Sequence, residues 1–308
     1  MLGLRKVLVG VDGVPSEKRS TELVLPPPTR EAVNLALRLA ESSGVELTFL
    51  HVTPALPDEY AATTQAAARS LLDSLVEEAA QRNVHAAAHV AAGNVWVEVV
   101  RDVLRNGQQM VIVGSRQQSP ARRLLLGSTG MKLLRNCPCP VWIVRRDRIP
   151  VESTVLVADD LTPVGERCLD LGVAAARLLD ARLLVVHAVE FPLEGPLRHM
   201  GTPDDQVAAY RESILRKAEQ AVQEHLSVTD HRTISQGSRT EVIAGRPDLV
   251  IEDAIAEHAA ELLVMGTIAR GGIPGLLIGN TAERLLPVVT CSLLAVKPDN
   301  IVCPIRPD

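Results

Sequence analysis

The residues best suited to chemistry lie in two short segments, and the two are one segment written twice. The first reads MVIVGSRQQSPARRLLLGSTGMKLL from Met110, the second LVMGTIARGGIPGLLIGNTAERLL from Leu263. At a single ungapped offset of 152, Gly114 meets Gly266, Gly127 meets Gly279 and Thr129 meets Thr281, and the register runs on through Cys139 and Cys291 to Val144 and Val296. Each copy ends an apolar strand in glycine, crosses a loop, and opens a helix at a second glycine: Gly127-Ser128-Thr129 in one, Gly279-Asn280-Thr281 in the other. Backbone N–H groups at such a helix start, reinforced by the helix dipole, can hold a phosphate. A carboxylate closes the first strand of each half, Asp12 after Gly10-Val11 and Asp160 at offset 148. Placed beside the loop, it could accept from sugar hydroxyls or hold a metal. Arg116, Arg122 and Arg123 flank the first loop and could meet phosphates. Plainer readings stand beside these: Gly114 and Gly266 as turn glycines, Ser128 and Asn280 as helix N-caps, Asp12 as a brace for its loop.

Positioning those residues requires a particular scaffold. Each half alternates short β-branched runs with longer helical patterns, the signature of a parallel sheet covered by helices. Strands are expected at 6–11, 46–52, 85–91, 110–113 and 141–144, and again at 154–158, 182–189, 232–235, 262–265 and 293–296. Helices are expected at 29–43, 61–82 and 96–106, mirrored by 163–179, 203–226 and 248–258. The expected fold is α/β: two tandem, doubly wound, five-stranded parallel-sheet domains, 1–150 and 151–308, joined near 145–152. In strand order 2-1-3-4-5 or its relative 3-2-1-4-5, the first and fourth strands are neighbours at the switch point where ligands collect. The stretch VPSEKRSTELVLPPP after the first strand is charged and Pro-rich and cannot be helical throughout.

Composition removes several classes of function. The chain has 308 residues and a net charge of −5, so no overall basic field draws nucleic acid, and 2% aromatic content leaves few stacking platforms. No secretory leader pattern opens it and no apolar run approaches a membrane span; cytoplasmic placement is the expectation. The five cysteines make no disulfide-like framework. Cys137-Pro-Cys139-Pro lacks CxxC spacing and reads as small buried groups leading into a strand rather than as a metal or redox pair. His51 and His187 close apolar strands and read as packing residues; His85 and His89 share a strand face but are too sparse for a metal. Trp142 reads as core or domain interface.

On these residues the chain resembles the universal stress proteins. That family's nucleotide loop is a glycine, two residues, a second glycine, nine residues, then glycine followed by Ser or Thr. Here the first half supplies Gly114, Gln117 where the second glycine stands, then Gly127-Ser128; the other half supplies Gly266, Ala269 and Gly279-Asn280. The stretches LLRNCPCPVWIVR and GNTAERLL…LLAVKPD look most like the E-type tandem members. The resemblance implies a Rossmann-like, adenine nucleotide alpha hydrolase-like fold and an internal pseudo-dimer, with further homodimerisation open. It also implies a regulatory stress protein that binds adenine nucleotide, ATP with or without Mg, in one or both clefts. The binding set would be Val11, Asp12, Val52, Val113, Gly114, Gln117, Gly127, Ser128 and Thr129 in the first cleft. In the second it would be Asp160, Met265, Gly266, Ala269, Gly279, Asn280 and Thr281. The first cleft is favoured for the hydroxyls of Ser128 and Thr129.

Two other functions fit the same residues: an adaptor with degenerate pockets acting by protein contact, supported by Gln117 and Asn280, and a cleft for an apolar molecule. Catalysis has little support. GxxxxGK[ST], GxSxG and HExxH are all missing. A backbone-donor loop can bind a triphosphate without aligning water for attack, so slow hydrolysis is the most that is expected.

Overall fold

The computed structural model describes residues 3–16, 22–55, 57–115, 127–145, 153–267, 278–298 and 303–307. The expected positions Gln117, Ala269, Arg116, Arg122 and Arg123, and most of the junction 145–152, lie outside these residues. Contacts divide the chain into two units, one containing Met1–Arg148 and Ser292–Asp308, the other Ile149–Ile273 and Gly279–Cys291.

In the first unit, β1 (Lys6–Gly10), β4 (Glu46–Thr53), β5 (Ala86–Ala92), β6 (Met110–Gly114) and β7 (Val141–Val144) are parallel in the order β5-β4-β1-β6-β7. Numbered along the chain that is 3-2-1-4-5, the second of the two expected orders. α1 (Pro27–Ser43), α2 (Asp58–Gln81), α3 (Val95–Asn106) and α4 (Ser128–Asn136) connect them. α1 follows consecutive prolines, with Pro at its first turn, where a missing N–H costs nothing, and stops at Gly44, whose φ of 71° suits a residue without a Cβ. The Pro-rich stretch after β1 contains a small antiparallel hairpin, β2 (Val14–Pro15) with β3 (Leu23–Val24). Val7, Leu8, Val9, Leu47, Phe49, Met110, Val111, Ile112 and Val141 are buried on the central strands, and Trp142 joins them as core.

The second unit repeats the plan with β8 (Thr154–Ala158), α5 (Pro163–Leu179), β9 (Arg182–Val189), α6 (Glu194–His199), α7 (Asp204–Ser227), β10 (Ser238–Ala244), α8 (Pro247–Glu257), β11 (Leu262–Gly266) and α9 (Asn280–Leu285). Its parallel order is β10-β9-β8-β11. The expected strand at 232–235 is a correction: His231–Thr233 is a 3-10 turn and the strand is β10, six residues later. The repeat itself carried the right answer, because β5 shifted by 152 is 238–244, ending at Gly245 as β5 ends at Gly93. Local β-propensity in RTIS competed with that register and was the weaker guide.

The fifth strand of the second repeat, β12 (Ser292–Val296), belongs to the first unit. It runs antiparallel to β7, pairing Leu293 with Ile143, Leu294 with Trp142 and Ala295 with Val141.

Candidate functional site

In the first unit β1 and β6 lie side by side and parallel, Gly10 opposite Val113. Their chains depart in opposite directions, β1 by α1 to β4 and β6 by α4 to β7. That divergence opens a cleft at their carboxyl ends. Gly10, Val11, Asp12, Leu50, His51, Val52, Val113, Gly114, Gly127 and Thr129 line it, with Thr29, Val95, Val99 and Leu133 from the helices. The equivalent cleft of the second unit is lined by Asp159, Asp160, His187, Met265, Gly266, Thr267, Gly279 and Thr281, with Pro247 and Ile251. All the expected residues within the described chain are therefore gathered at the clefts except Ser128 and Asn280, which are exposed and do not line them.

Ser128 and Asn280 are not N-caps. The caps are Gly127 (φ −56°, ψ 167°) and Gly279 (φ −73°, ψ 156°), which have no side chain to accept from the first turn. A cap residue sits half out of its helix, and here that place falls one residue earlier than the hydroxyl or amide. The first turn of α4, whose cap residue offers no side-chain acceptor, starts at the cleft's edge.

The two strand-end glycines have a packing cause. A Cβ on Gly114 would stand 2.6 Å from the carbonyl carbon and oxygen of Pro28 and 2.7 Å from the Thr29 nitrogen. On Gly266 it would stand 3.0 Å from Cγ1 of Val164. In both units the glycine lets the first helix begin tight against the fourth strand. A positive φ is needed elsewhere, at Gly93 (140°) and Gly245 (151°), where the third strand turns into its helix.

The carboxylates differ. Asp12 is exposed at the rim and makes no hydrogen bond or ion pair with the described residues. Asp160 is engaged, its Oδ1 accepting from the Thr162 N–H at 3.1 Å and from the Thr162 hydroxyl. Beside it Asp159 is 4% exposed where the first repeat has Val11. Its Oδ1 accepts from Leu161 N–H at 3.0 Å, while Oδ2 and the Nδ1 of His225 lie 3.3 Å apart, both buried without a hydrogen bond. Burial pushes the Asp159 carboxyl up; the Leu161 N–H, His225 and His187 pull it partly back.

Sequence reading missed the part of the two histidines. His51 Nδ1–H donates to the Val11 carbonyl at 2.8 Å, and His187 Nδ1–H donates to the Asp159 carbonyl at 2.7 Å. A carbonyl only accepts, so Nδ1 carries a proton in each ring. They hold the strand end that carries Asp12 or Asp160, and both line the cleft. Their matched positions near the end of the second strand of each repeat were the available signal. His85, by contrast, precedes β5, and His89 is tied through Nδ1 to Asp102 Oδ2 at 2.7 Å, away from either cleft. No group of three metal-ligating side chains occurs among the described residues.

The cavities measure about 110 Å³ in the first unit and about 240 Å³ in the second. Pockets that engulf a cofactor are commonly about 300–1,000 Å³, so the described walls suit a ligand sunk at one end, its remainder lying along the rim.

A doubly wound α/β chain built twice, with a cleft beside a strand-end glycine at each switch point, is the class this architecture defines. The profile of the Universal stress protein family matches residues 3–145 and again 153–297. The chain belongs to that family, as a tandem member. It is 26% identical over 269 residues to Universal stress protein E of Escherichia coli (strain K12), covering 82% of each chain. Two solved structures share its fold. One, described as a universal stress protein from Pseudomonas aeruginosa UCBPP-PA14, gives a TM-score of 0.69 at 23% identity over 97% of this chain and 95% of its own. The other, a universal stress protein from Archaeoglobus fulgidus DSM 4304, gives 0.65 at 18% identity, covering 95% and 98%.

Proposed function

We propose that this protein is a regulatory stress protein whose first cleft receives an adenine nucleotide, ATP foremost, with the second cleft as a further site. One observation supports it above others: Asp12, Gly114, Gly127 and Thr129, drawn from three separate stretches, surround one cleft beside the uncapped first turn of α4. In this reading the adenine sits among Val11, Val52 and Val113, Asp12 accepts from the ribose hydroxyls, and the α4 N–H groups and the Thr129 hydroxyl meet the phosphates. If magnesium is bound instead, Asp12 is the residue that would hold it, supplying a hard oxygen ligand. In this reading occupancy, not turnover, is the signal. Cytoplasmic action belongs to the same reading; among the described residues no helix is long and apolar enough to cross a membrane.

The test is direct. Protein purified without added ligand is denatured and its supernatant assayed for adenine nucleotide, and the apo-protein is titrated calorimetrically with ATP. Retained nucleotide or saturable heat, lost in Asp12→Ala, is the expected result. No heat up to millimolar ATP removes the nucleotide.

A second reading, an adaptor acting by protein contact alone, is favoured by the packing cause of Gly114 and the small first cavity. Under it, Asp12→Ala leaves partner binding unchanged.

A further inference from the structure

Beyond the clefts, the described residues hold another concentration of reactive side chains. It lies where α4 ends, β7 begins and β12 leaves the sheet, all within the first unit. The Sγ atoms of Cys137 and Cys139 are 3.5 Å apart, across a bend at Pro138. Lys297, immediately after β12, is 1% exposed and its Nζ–H donates to the Arg135 carbonyl at 2.9 Å, at the last turn of α4. Cys303, partly exposed, donates its thiol to the Asn136 carbonyl at 3.4 Å. The antiparallel pairing of β12 with β7 creates the group by bringing the end of one repeat against the end of the other.

We infer that Cys137 and Cys139 form a hydroperoxide-reactive dithiol that closes reversibly to an intrachain disulfide, a modification site separate from the nucleotide cleft. Three features carry this. The sulfurs already face each other, and closing to a bond of about 2 Å needs movement only within a three-residue segment. A buried ammonium is costly unless negative charge lies near it, and the thiols of Cys137, Cys139 and Cys303 all act on Lys297, whose own pKa burial pushes down to about 8. The pair also shares its proton unevenly: the hydrogen bond from Cys139, helped by Lys297, lowers the Cys137 thiol, while the same bond and burial raise Cys139. Of the two, Cys137 is the sulfur that ionises more readily and from which such chemistry starts.

The repeat provides an internal comparison. At offset 152, Cys139 becomes Cys291, Cys137 becomes Val289 and Lys297 stands where the first repeat has Arg145. The second repeat keeps one buried cysteine without a partner thiol two residues before it.

Cys137 has no exposed surface and Cys139 is 8% exposed, which restricts the oxidant to a small neutral hydroperoxide. The thiolate attacks the peroxide: an S–O bond forms, the O–O bond breaks, and the distal oxygen leaves as hydroxide or alkoxide. The neighbouring sulfur then attacks the sulfenic sulfur; the S–S bond forms, the S–O bond breaks, and water leaves with the thiol proton. Two thiols lose two electrons and the peroxide gains them. A ring this short is strained, so an ordinary dithiol reductant reverses the step.

The experiment exposes the reduced full chain to hydrogen peroxide, quenches it with N-ethylmaleimide under denaturing conditions, and maps the tryptic peptide 136–145, which holds both cysteines. The expected peptide carries no maleimide and is lighter by the two hydrogens lost, and dithiothreitol restores two reactive thiols. Cys168, fully buried with its thiol pushed well up by burial and by Asp160 and Asp159, and Cys291 remain alkylated. In Cys139→Ser, dimedone should trap a sulfenic acid at Cys137; in Lys297→Met, oxidation should slow about tenfold. Two maleimides on 136–145 after peroxide, together with no dimedone adduct in Cys139→Ser, overturn the proposal. A cross-link to Cys303 instead, or equal oxidation of Cys168 and Cys291, overturns it as well.

Discussion

Asp159 is the side chain whose setting departs furthest from what its repeat partner would suggest. Folding raises its carboxyl pKa, so the native state binds its proton more tightly than the unfolded chain does. Its contribution is therefore least unfavourable below the ordinary carboxylate value and worsens as pH climbs through the raised native value. Asp159→Asn keeps an acceptor for Leu161 N–H and removes the charge. The variant should exceed the parent in stability at pH 7 by on the order of 1 kcal/mol, the gap closing towards pH 4, as urea denaturation at the two pH values would measure. Gly114 makes the opposite case. The atoms facing its absent Cβ are backbone, which cannot rotate away, so Gly114→Ala should cost about 1–3 kcal/mol with or without nucleotide. Loss of binding in that variant would thus say little about phosphate contact, whereas Asp12→Ala, at an exposed rim, separates the two effects.

Among elements, the helix starts divide into two kinds. α5 is capped in the ordinary way: Thr162 Oγ1 accepts from the N–H groups of Val164 and Gly165, each at 3.2 Å. α4 has no side-chain cap. Thr162→Ala should lower stability by about 1 kcal/mol, the usual worth of an N-cap, whereas Ser128→Ala should change it by less than about 0.5 kcal/mol. Thermal or urea unfolding of the pair checks this; an equal loss in both would restore Ser128 as a cap. The same contrast explains what was readable. Thr162-Pro163 announces a helix by local chemistry alone, and α5 runs over Pro163–Leu179 as expected. Where α4 takes its cap depends on how the loop arrives from residues far away in sequence, and GST gives no local preference strong enough to fix it.

For the whole chain, β12 is the element that sequence order misplaces. Cut after residue 150, the first repeat would lose its antiparallel partner and present Val141–Val144, with Trp142, as an open and apolar edge. Unprotected edges of this kind pair with other chains. Residues 1–150 alone are expected to self-associate, and sedimentation velocity should find them dimeric or larger; a stable monomer would mean that β12 is dispensable to this edge.

The amino-acid order by itself determined the duplication, the alternation of strand and helix, the family and, among the described residues, most of those that line the clefts. Each rests on periodicity, or on glycines recurring at offset 152 and an acid at 148, and such signals are read from residue order without knowing which segments touch. Only the tertiary structure decided that Gly114 yields space to Pro28, that His51 and His187 brace the strand ends, that β12 joins β7, and that two cysteines from the end of one repeat and a lysine from the end of the other share one buried place. Those facts follow from which distant segments come to touch, and contact between segments is settled by the packing of the folded chain.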